Sequence, residues 1–461
     1  MSSTNGYNPN VWLARYAKDL GEPKGKMLVL APNNDPFNTG TKTHLKDAQW
    51  FAHLHERVGY RGIHLRRLHY RAYDAGLENA EGEHYPNTEK QWNELQNASR
   101  HARYLGLVDP ADFTDNRSPS PELNVSGLPY VPEPAYEIDA ENGLVGWHLP
   151  SIQTSLKGSV NVAANHSVTG YYYSHELQPN LIEVWSEKSG DDATLIPLAR
   201  QYGFNYCPGT GFQSVTNIRQ MFRRARRTGK PTRILYISDF DPAGMGMPVQ
   251  VGRQTQYAFW QLEELAGEEA PNVKLEPIAL THDQVVDWRL PRKPLKAGYE
   301  DWEDRFGEGA VEVDALEARH PGRLTHLVRE RVSELQDNDL RQRISSAREE
   351  AERQVHAAVE EAVARHQGRA QETAAEFDEV AERYRERLET LSAEFEEEVG
   401  PIREQFQAQK EAFEADLESL EVGIPDLPEG VAPDEANGWM FDSSRDFLKQ
   451  TQEFRRRQRR L

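Results

Sequence analysis

One cysteine in 461 residues, Cys207, rules out an internal disulfide and any cysteine-built zinc site. No histidine-bearing motif surrounds it, so it reads as a buried structural thiol rather than a nucleophile. Long apolar runs are missing too. None approaches the roughly 18–20 residues that a membrane span needs, and the N-terminal MSSTNGYNPN lacks a basic-then-apolar secretory pattern. There is no GxxxxGK(S/T) phosphate loop. Positive charge is also scarce: 54 Lys+Arg stand against 74 Asp+Glu, a net charge of −20. Spread evenly, that balance argues against a nucleic-acid partner, because phosphate contacts come from Lys and Arg. The expectation is a cytoplasmic protein with no membrane partner.

The charge is not spread evenly. Between Arg341 and Gly423 there are 22 Asp+Glu and 11 Lys+Arg, a balance of 11 − 22 = −11, which leaves −9 for the rest of the chain. More than half of the acidity therefore belongs to one segment, and the objection to a nucleic-acid partner weakens.

A chain of this length predicts two to four domains. In residues 1–60 the run Met27–Ala31, closed by Pro32–Pro36, reads as a strand and a turn, while Ala48, Phe51, Ala52, Leu54 and His55 share a helical face. Residues 61–117 read as a small helical domain. Ile63, Leu65, Leu68 and Ala72 start one helix. A second follows Thr88 with Trp92, Leu95, Ala98, Ala102 and Leu105, and Gly106 ends it. Residues 118–175, with Pro119, Pro121, Pro129, Pro132 and Pro134, read as a linker and irregular structure.

Residues 176–324 alternate strands (181–185, 232–238, 273–280) with helices (217–227, 249–265), the pattern of a mostly parallel α/β sheet. From 325 to 422 the chain is helical and acidic. An apolar stripe from Phe377 to Leu420, including Leu388 and Leu391, repeats mainly as 3+4+4, an 11-residue period that keeps its phase across Gly400-Pro401. That stripe needs a partner helix, either the residues before 368 folding back or a second subunit, and it reads as an architectural coiled-coil arm. Residues 423–461 read as a Pro-rich linker and a basic tail, solvated or touching nucleic acid. The expected fold class is multidomain α+β.

The sharpest chemical signal is Ile237-Ser238-Asp239-Phe240-Asp241-Pro242-Ala243-Gly244, two carboxylates two residues apart where a buried strand breaks into a turn. At the carboxyl end of a parallel strand, side chains reach the crevice where α/β proteins bind ligands. Close carboxylates repel unless a cation neutralises them, and hard oxygen donors suit Mg²⁺. Glu187 follows another strand and offers a third carboxylate. The competing reading is an ordinary turn with capping aspartates.

Glu187-Lys188, then Gly209-Thr210-Gly211-Phe212-Gln213-Ser214, then Asp239–Gly244, together resemble a TOPRIM domain, the metal-binding fold of topoisomerases, primases and some nucleases. More narrowly the chain is similar to the A subunit of topoisomerase VI and its meiotic double-strand-break relatives, in a bacterial or mobile-element branch. Leu280-Thr281, Leu290-Pro291 and Val311–Leu316 add to that likeness, which covers about 61–117 and 176–330. It implies that Glu187, Asp239 and Asp241 bind Mg²⁺. It also implies a winged-helix domain carrying a tyrosine in Arg-x-x-(aromatic)-Tyr. Here Arg66 and Tyr70 match, and His69 replaces the usual aromatic residue. Ala102–Val108, with Asp115 and Arg117, fits the bacterial versions.

On this reading Tyr70 attacks DNA and becomes joined to the 5′ end of the cut strand, with the enzyme acting as a homodimer. A tyrosine is a weak nucleophile at neutral pH, so Arg66, Arg67 and Arg71 would supply positive charge. Strand passage would require a separate ATPase subunit. The rival view packs Tyr70 in the domain core. Arg223, Arg224, Arg226, Arg227, Lys230 and Arg233 precede the Asp239 strand and read as a DNA phosphate track or a solvated helix face. Two further functional readings stand beside transesterification. One is a hydrolytic TOPRIM nuclease of mobile-element conflict or defence, acting through a metal-activated water. The other is a non-enzymatic, nucleoid-associated DNA-binding scaffold.

Overall fold

The computed structural model describes residues 8–114, 119–127, 132–139, 162–267, 269–384, 392–433 and 439–460. Asp115, Arg117, Leu388 and Leu391, like all of 140–161, lie outside them. Helices α1 (Pro9–Asp19) and α2 (Lys42–Val58) open the chain, capped by the side chains of Asn8 and Thr41. Strand β1 (Ile63–His64) leads into α3 (Leu65–Asp74). After α4 (Glu89–Tyr104) comes β2 (Phe113–Thr114), which pairs parallel to β1. Strands β3 (Ala135–Asp139) and β4 (Asn165–Thr169) pair antiparallel.

Next come β5 (Leu181–Ser186), α5 (Asp192–Tyr202), β6 (Asn205–Pro208), α6 (Val215–Thr228), β7 (Thr232–Ile237), α7 (Pro242–Ala266) and β8 (Val273–Ala279). Short helices α8 (His282–Asp287), α9 (Glu300–Phe306) and α10 (Val313–Arg319) precede α11 (Arg323–Glu334). The long α12 (Leu340–Tyr384) and α13 (Ser392–Glu418) follow, and β9 (Phe441–Asp442) and α14 (Phe447–Arg460) close the chain.

Two compact units result. The first comprises Met1–Pro129, Gln178–Asp337 and Val431–Leu461. Its sheet runs β6-β5-β7-β8-β9, parallel except for the edge strand β9. Every residue of β5 and β7 is buried, because helices cover both faces. Ile182, Val184, Leu235 and Ile237 pack on one face with α5 and α11. Trp185, Ile234 and Tyr236 pack on the other with α6 and α7.

The α/β expectation for 176–324 holds, with α7 beginning seven residues earlier than its apolar pattern indicates. Asp241 supplies the reason: its side chain caps the helix and Pro242 occupies the first turn. Thr88 caps α4 as expected, its hydroxyl accepting from Gln91 N–H at 3.2 Å.

Four expectations are corrected. Met27–Ala31 is no strand: Lys24–Met27 is a 3₁₀ turn, and the N–H groups of Val29 and Leu30 donate to the Asp35 carboxylate at 2.9 and 3.3 Å. A side chain has taken the donors a ladder would need. The helical domain does not start at 61, since α2 buries Ala48, Phe51 and Leu54 against α3 and α4. Residues 118–175 are not simply irregular. Glu122 pairs with Tyr206 beside β6, and the alternating Ala135–Asp139 and Asn165–Thr169 form a hairpin. The C-terminal segment is not a loose tail, because β9 extends the sheet and α14 buries Leu448 with Leu13, Phe37 and Trp260.

The second unit comprises Tyr130–Leu177 and Asn338–Gly430. Here α12 and α13 form an antiparallel helical pair. His366 meets Asp416 at 3.0 Å, Thr373 meets Gln409 at 2.7 Å, and Tyr384 donates to Glu398 at 2.8 Å. The apolar stripe packs partly on itself, Phe377 and Val380 against Phe395 and Val399, while Phe406 and Phe413 pack on Ala362 and Ala370 ahead of it, so the partner of that part is the preceding chain folding back. The expectation of one continuous stripe is corrected, since it divides between two helices. Pro401 lies inside α13, in keeping with the unbroken phase across Gly400-Pro401.

Candidate functional site

Strand β5 lies between β6 and β7, so the chain leaves β5 toward one side of the sheet and later crosses to the other. The crevice outside the carboxyl ends of β5 and β7 is thus a topological switch point, where open α/β sheets bind ligands. Ser186 and Ile237 are in register at the ends of these strands. Glu187 and Asp239 follow directly, so strand pairing alone brings them together.

Glu187 accepts from the Asp239 N–H at 2.9 Å. Asp239 is only 4% exposed. One of its oxygens accepts from the Val313 N–H at 3.0 Å, and the other meets the Lys188 ammonium at 2.7 Å. Asp241 caps α7, accepting from Gly244 N–H at 2.7 Å. A β-carbon at Gly244 would stand 2.1 Å from the Asp239 carbonyl oxygen, so only glycine lets the helix start this close to the strand end.

Further acidic groups ring the crevice. Asp191 accepts from Ser186 Oγ at 2.9 Å, and Glu312 and Asp314 lie 3.9 and 4.0 Å from Lys188 Nζ. Burial first, then the charges of Asp239 and Asp241, holds the Glu187 carboxyl above its ordinary range, against the Asp239 N–H and Lys188. Burial opposes the charge of Lys188, yet its bond to Asp239 and the surrounding carboxylates raise its pKa.

Among the described residues, no group of three or more His, Cys, Asp and Glu side chains is gathered as a metal-binding cluster. The cation at Asp239 is the Lys188 ammonium. The donor chemistry nevertheless fits a hard divalent ion. Glu187 and Asp241 add negative charge beyond what one ammonium balances, and Lys188 has Glu312 and Asp314 within 4.0 Å to turn to.

The raised Glu187 pKa carries a stability consequence. Ionising Glu187 is harder in the folded chain than in the unfolded one, so stability falls as pH rises from the ordinary glutamate value through the raised folded value. Glu187→Gln keeps an acceptor for the Asp239 N–H and removes that loss. In EDTA the variant is expected to melt higher than its parent at pH 7–8, and the difference to vanish below about pH 4. Thermal denaturation across pH checks this, and a variant less stable at pH 8 contradicts it.

Tyr70 lies on α3 and is 48% exposed, which removes the core-packing reading. Its neighbour His69 is buried, bonded to Tyr85 Oη at 2.8 Å and Asn87 Oδ1 at 3.1 Å. Arg66 stacks on Trp92 with its guanidinium 3.9 Å from the ring centre. Arg67 donates to Tyr60 Oη at 2.8 Å, and Arg71 lies over the Tyr60 ring. Among the described residues no side chain is hydrogen-bonded to the Tyr70 hydroxyl.

The basic run divides. Arg223, Arg226 and Arg227 are exposed on α6, Arg223 beside Asp109 at 3.3 Å. Arg224 is corrected: it is buried and bidentate on Glu183 of β5 at 2.6 and 2.9 Å, with Trp185 donating to the same carboxylate. It neutralises a charge inside the sheet layer and is withdrawn from any phosphate track. Arg233 is likewise buried, donating to Asn272 at 3.2 Å. Cys207 is buried beside the Glu183–Arg224 pair, the structural thiol that its surroundings in the sequence indicated.

Sequence reasoning missed Lys188 as the ion that neutralises Asp239, and Asp191 as part of the acidic ring. No helix of the described residues is long and apolar enough to cross a membrane. No protein-family model matches the chain, and no curated protein matches it.

Proposed function

We propose that this protein cleaves DNA by Mg²⁺-dependent transesterification, with Glu187, Asp239 and Asp241 as the ion's ligands and Tyr70 as the attacking group. The observation that carries the reading is the pairing of Glu187 with Asp239 at the switch point of a parallel sheet, with Asp241 two residues on and the Glu187 pKa held above its ordinary value. On this reading the sheet is a TOPRIM domain and the cluster around α3 and α4 a winged-helix unit. Held by Glu187, Asp239 and Asp241, the ion would supply positive charge to the scissile phosphate. The Tyr70 oxygen loses its proton and bonds to phosphorus. The bond from phosphorus to the 3′ oxygen breaks, and that oxygen leaves as a hydroxyl. Exposed Arg67, Arg71, Arg223, Arg226 and Arg227 hold flanking phosphates. As in the proteins the sequence resembles, two copies act together, each offering Tyr70 to the other's carboxylates. A separate ATPase subunit joins if strands are passed.

A hydrolytic reading is favoured by one observation: Arg66, Arg67 and Arg71 engage Trp92 and Tyr60 rather than the Tyr70 hydroxyl. There water replaces tyrosine as the nucleophile. The two separate cleanly. Purified protein, Mg²⁺ and supercoiled plasmid, stopped with detergent, should yield a covalent protein–DNA adduct. Tyr70→Phe should abolish adduct and nicking together. Nicking that survives Tyr70→Phe but not Asp239→Ala establishes hydrolysis instead.

A further inference from the structure

On the β8 side of the Asp239-Phe240-Asp241 turn, the ends of β7 and β8 open onto a cavity of about 440 Å³, within the range of small-molecule sites. Helices α7, α9 and α14 complete its lining, which is mostly apolar. Phe240, Trp302 and Phe306 form an aromatic group within it, ring centres 5.2 to 5.9 Å apart. Neither Asp239 nor Asp241 lines it, so it is distinct from the carboxylate crevice.

The charges on its lining say what it takes. Arg305 of α9 and Arg457 of α14 also line the cavity, and neither makes an ion pair among the described residues. His282 and Asp283 share the lining, 3.9 Å apart. The one carboxylate of the lining thus already has an imidazole beside it, whereas Arg305 lies over the Phe306 ring and Arg457 has only Glu453 of its own helix acting on it from outside the lining.

We propose that this cavity binds a small amphiphilic anion, an aromatic or aliphatic body seated on Phe240, Trp302 and Phe306 with one carboxylate, sulfonate or phosphate on Arg305 and Arg457. An extruded nucleobase fits less well. Its hydrogen-bonding edge needs several polar partners, whereas the Ser238 hydroxyl is spent on the Gly244 carbonyl and that of Thr281 on the Gln284 N–H. The inference does not rest on the DNA-cleavage reading.

The test uses the full chain and two fluorescent probes of similar shape, anionic 8-anilinonaphthalene-1-sulfonate and neutral N-phenyl-1-naphthylamine. The anionic probe should bind one site with a dissociation constant on the order of 10 µM, displaced by decanoate. The double variant Arg305→Gln/Arg457→Gln should weaken it roughly tenfold or more, the worth of a charged hydrogen bond, while the neutral probe stays within about twofold. Val249→Trp, or Phe454→Trp should the first not fold, should remove both probes by filling the cavity. Asp239→Asn should change neither, which keeps this site separate from the cleavage site. Probe binding that survives both filling variants in folded protein overturns the proposal, as does equal loss of both probes in the arginine variant. Displacement by deoxyadenosine monophosphate but not by decanoate overturns it in favour of a base.

Discussion

Asp239→Asn is expected to lower Mg²⁺-dependent DNA cleavage by about a thousandfold or more, because a metal's charge contribution to such a step is worth several kcal/mol. Of the three carboxylates, Asp239 is the most deeply placed and the one that holds a cation here. Asparagine has the same shape and can still accept from the Val313 N–H at 3.0 Å, so the strand end keeps its form. What it loses is the charge. Lys188 then loses its closest carboxylate, with Glu312 and Asp314 at 3.9 and 4.0 Å, and the crevice has one anionic ligand fewer. Titration calorimetry with Mg²⁺ should show weakened binding alongside the lost cleavage, with an unchanged far-ultraviolet spectrum. Unimpaired cleavage by this variant would remove the carboxylate crevice from the chemistry altogether.

What was legible in the sequence follows a physical line. Strands β5 and β7 were readable because burial on both faces leaves mostly apolar runs, and α4 because Thr88 and Gly106 mark its ends. The carboxylates were readable because strand ends in a parallel sheet converge, and Glu187, Asp239 and Asp241 need only local spacing to be noticed. Features made by long-range pairing were not. Lys188 is an ordinary neighbour of Glu187 until Asp239 arrives from β7 to meet it. Arg224 looks like its exposed neighbours on α6, and only the buried Glu183 of β5 shows that it points inward. The stripe through 377–420 reads as one face, yet it is shared between the antiparallel α12 and α13, where Phe377 and Val380 face Phe395 and Val399. Met27–Ala31 reads as a strand until Asp35 takes the Val29 and Leu30 donors.

Asp35 also anchors the largest expected effect on stability. Asp35→Ala should cost about 3–5 kcal/mol, the usual penalty for leaving one partner of a buried ion pair alone. Neither side chain of the Asp35–Arg253 pair is exposed at all. Arg253 donates to both oxygens of Asp35 at 3.2 and 3.0 Å and to the Met27 carbonyl at 2.8 Å. Its guanidinium lies 4.4 Å from the ring centre of Phe37 and 4.7 Å from that of Phe447, so the N-terminal segment, α7 and α14 meet on one charge. Burial already pulls the pKa of Arg253 below its ordinary value, with Asp35 opposing the pull. Without Asp35 the charge keeps only neutral acceptors, and the N–H groups of Val29, Leu30 and Phe37 lose theirs. Against a total stability of about 5–15 kcal/mol, such a loss would leave this end of the first unit near unfolding. Arg253→Met should cost similarly by orphaning Asp35. The double variant Asp35→Leu/Arg253→Met should cost well under the sum, since the pair is coupled through direct contact. Urea titration followed by tryptophan fluorescence reads this region, because Trp12 and Trp260 belong to the same cluster, 5.3 Å apart. Single variants within about 1 kcal/mol of the parent, or strictly additive costs in the double variant, would show that the charge pair does not hold these three segments together.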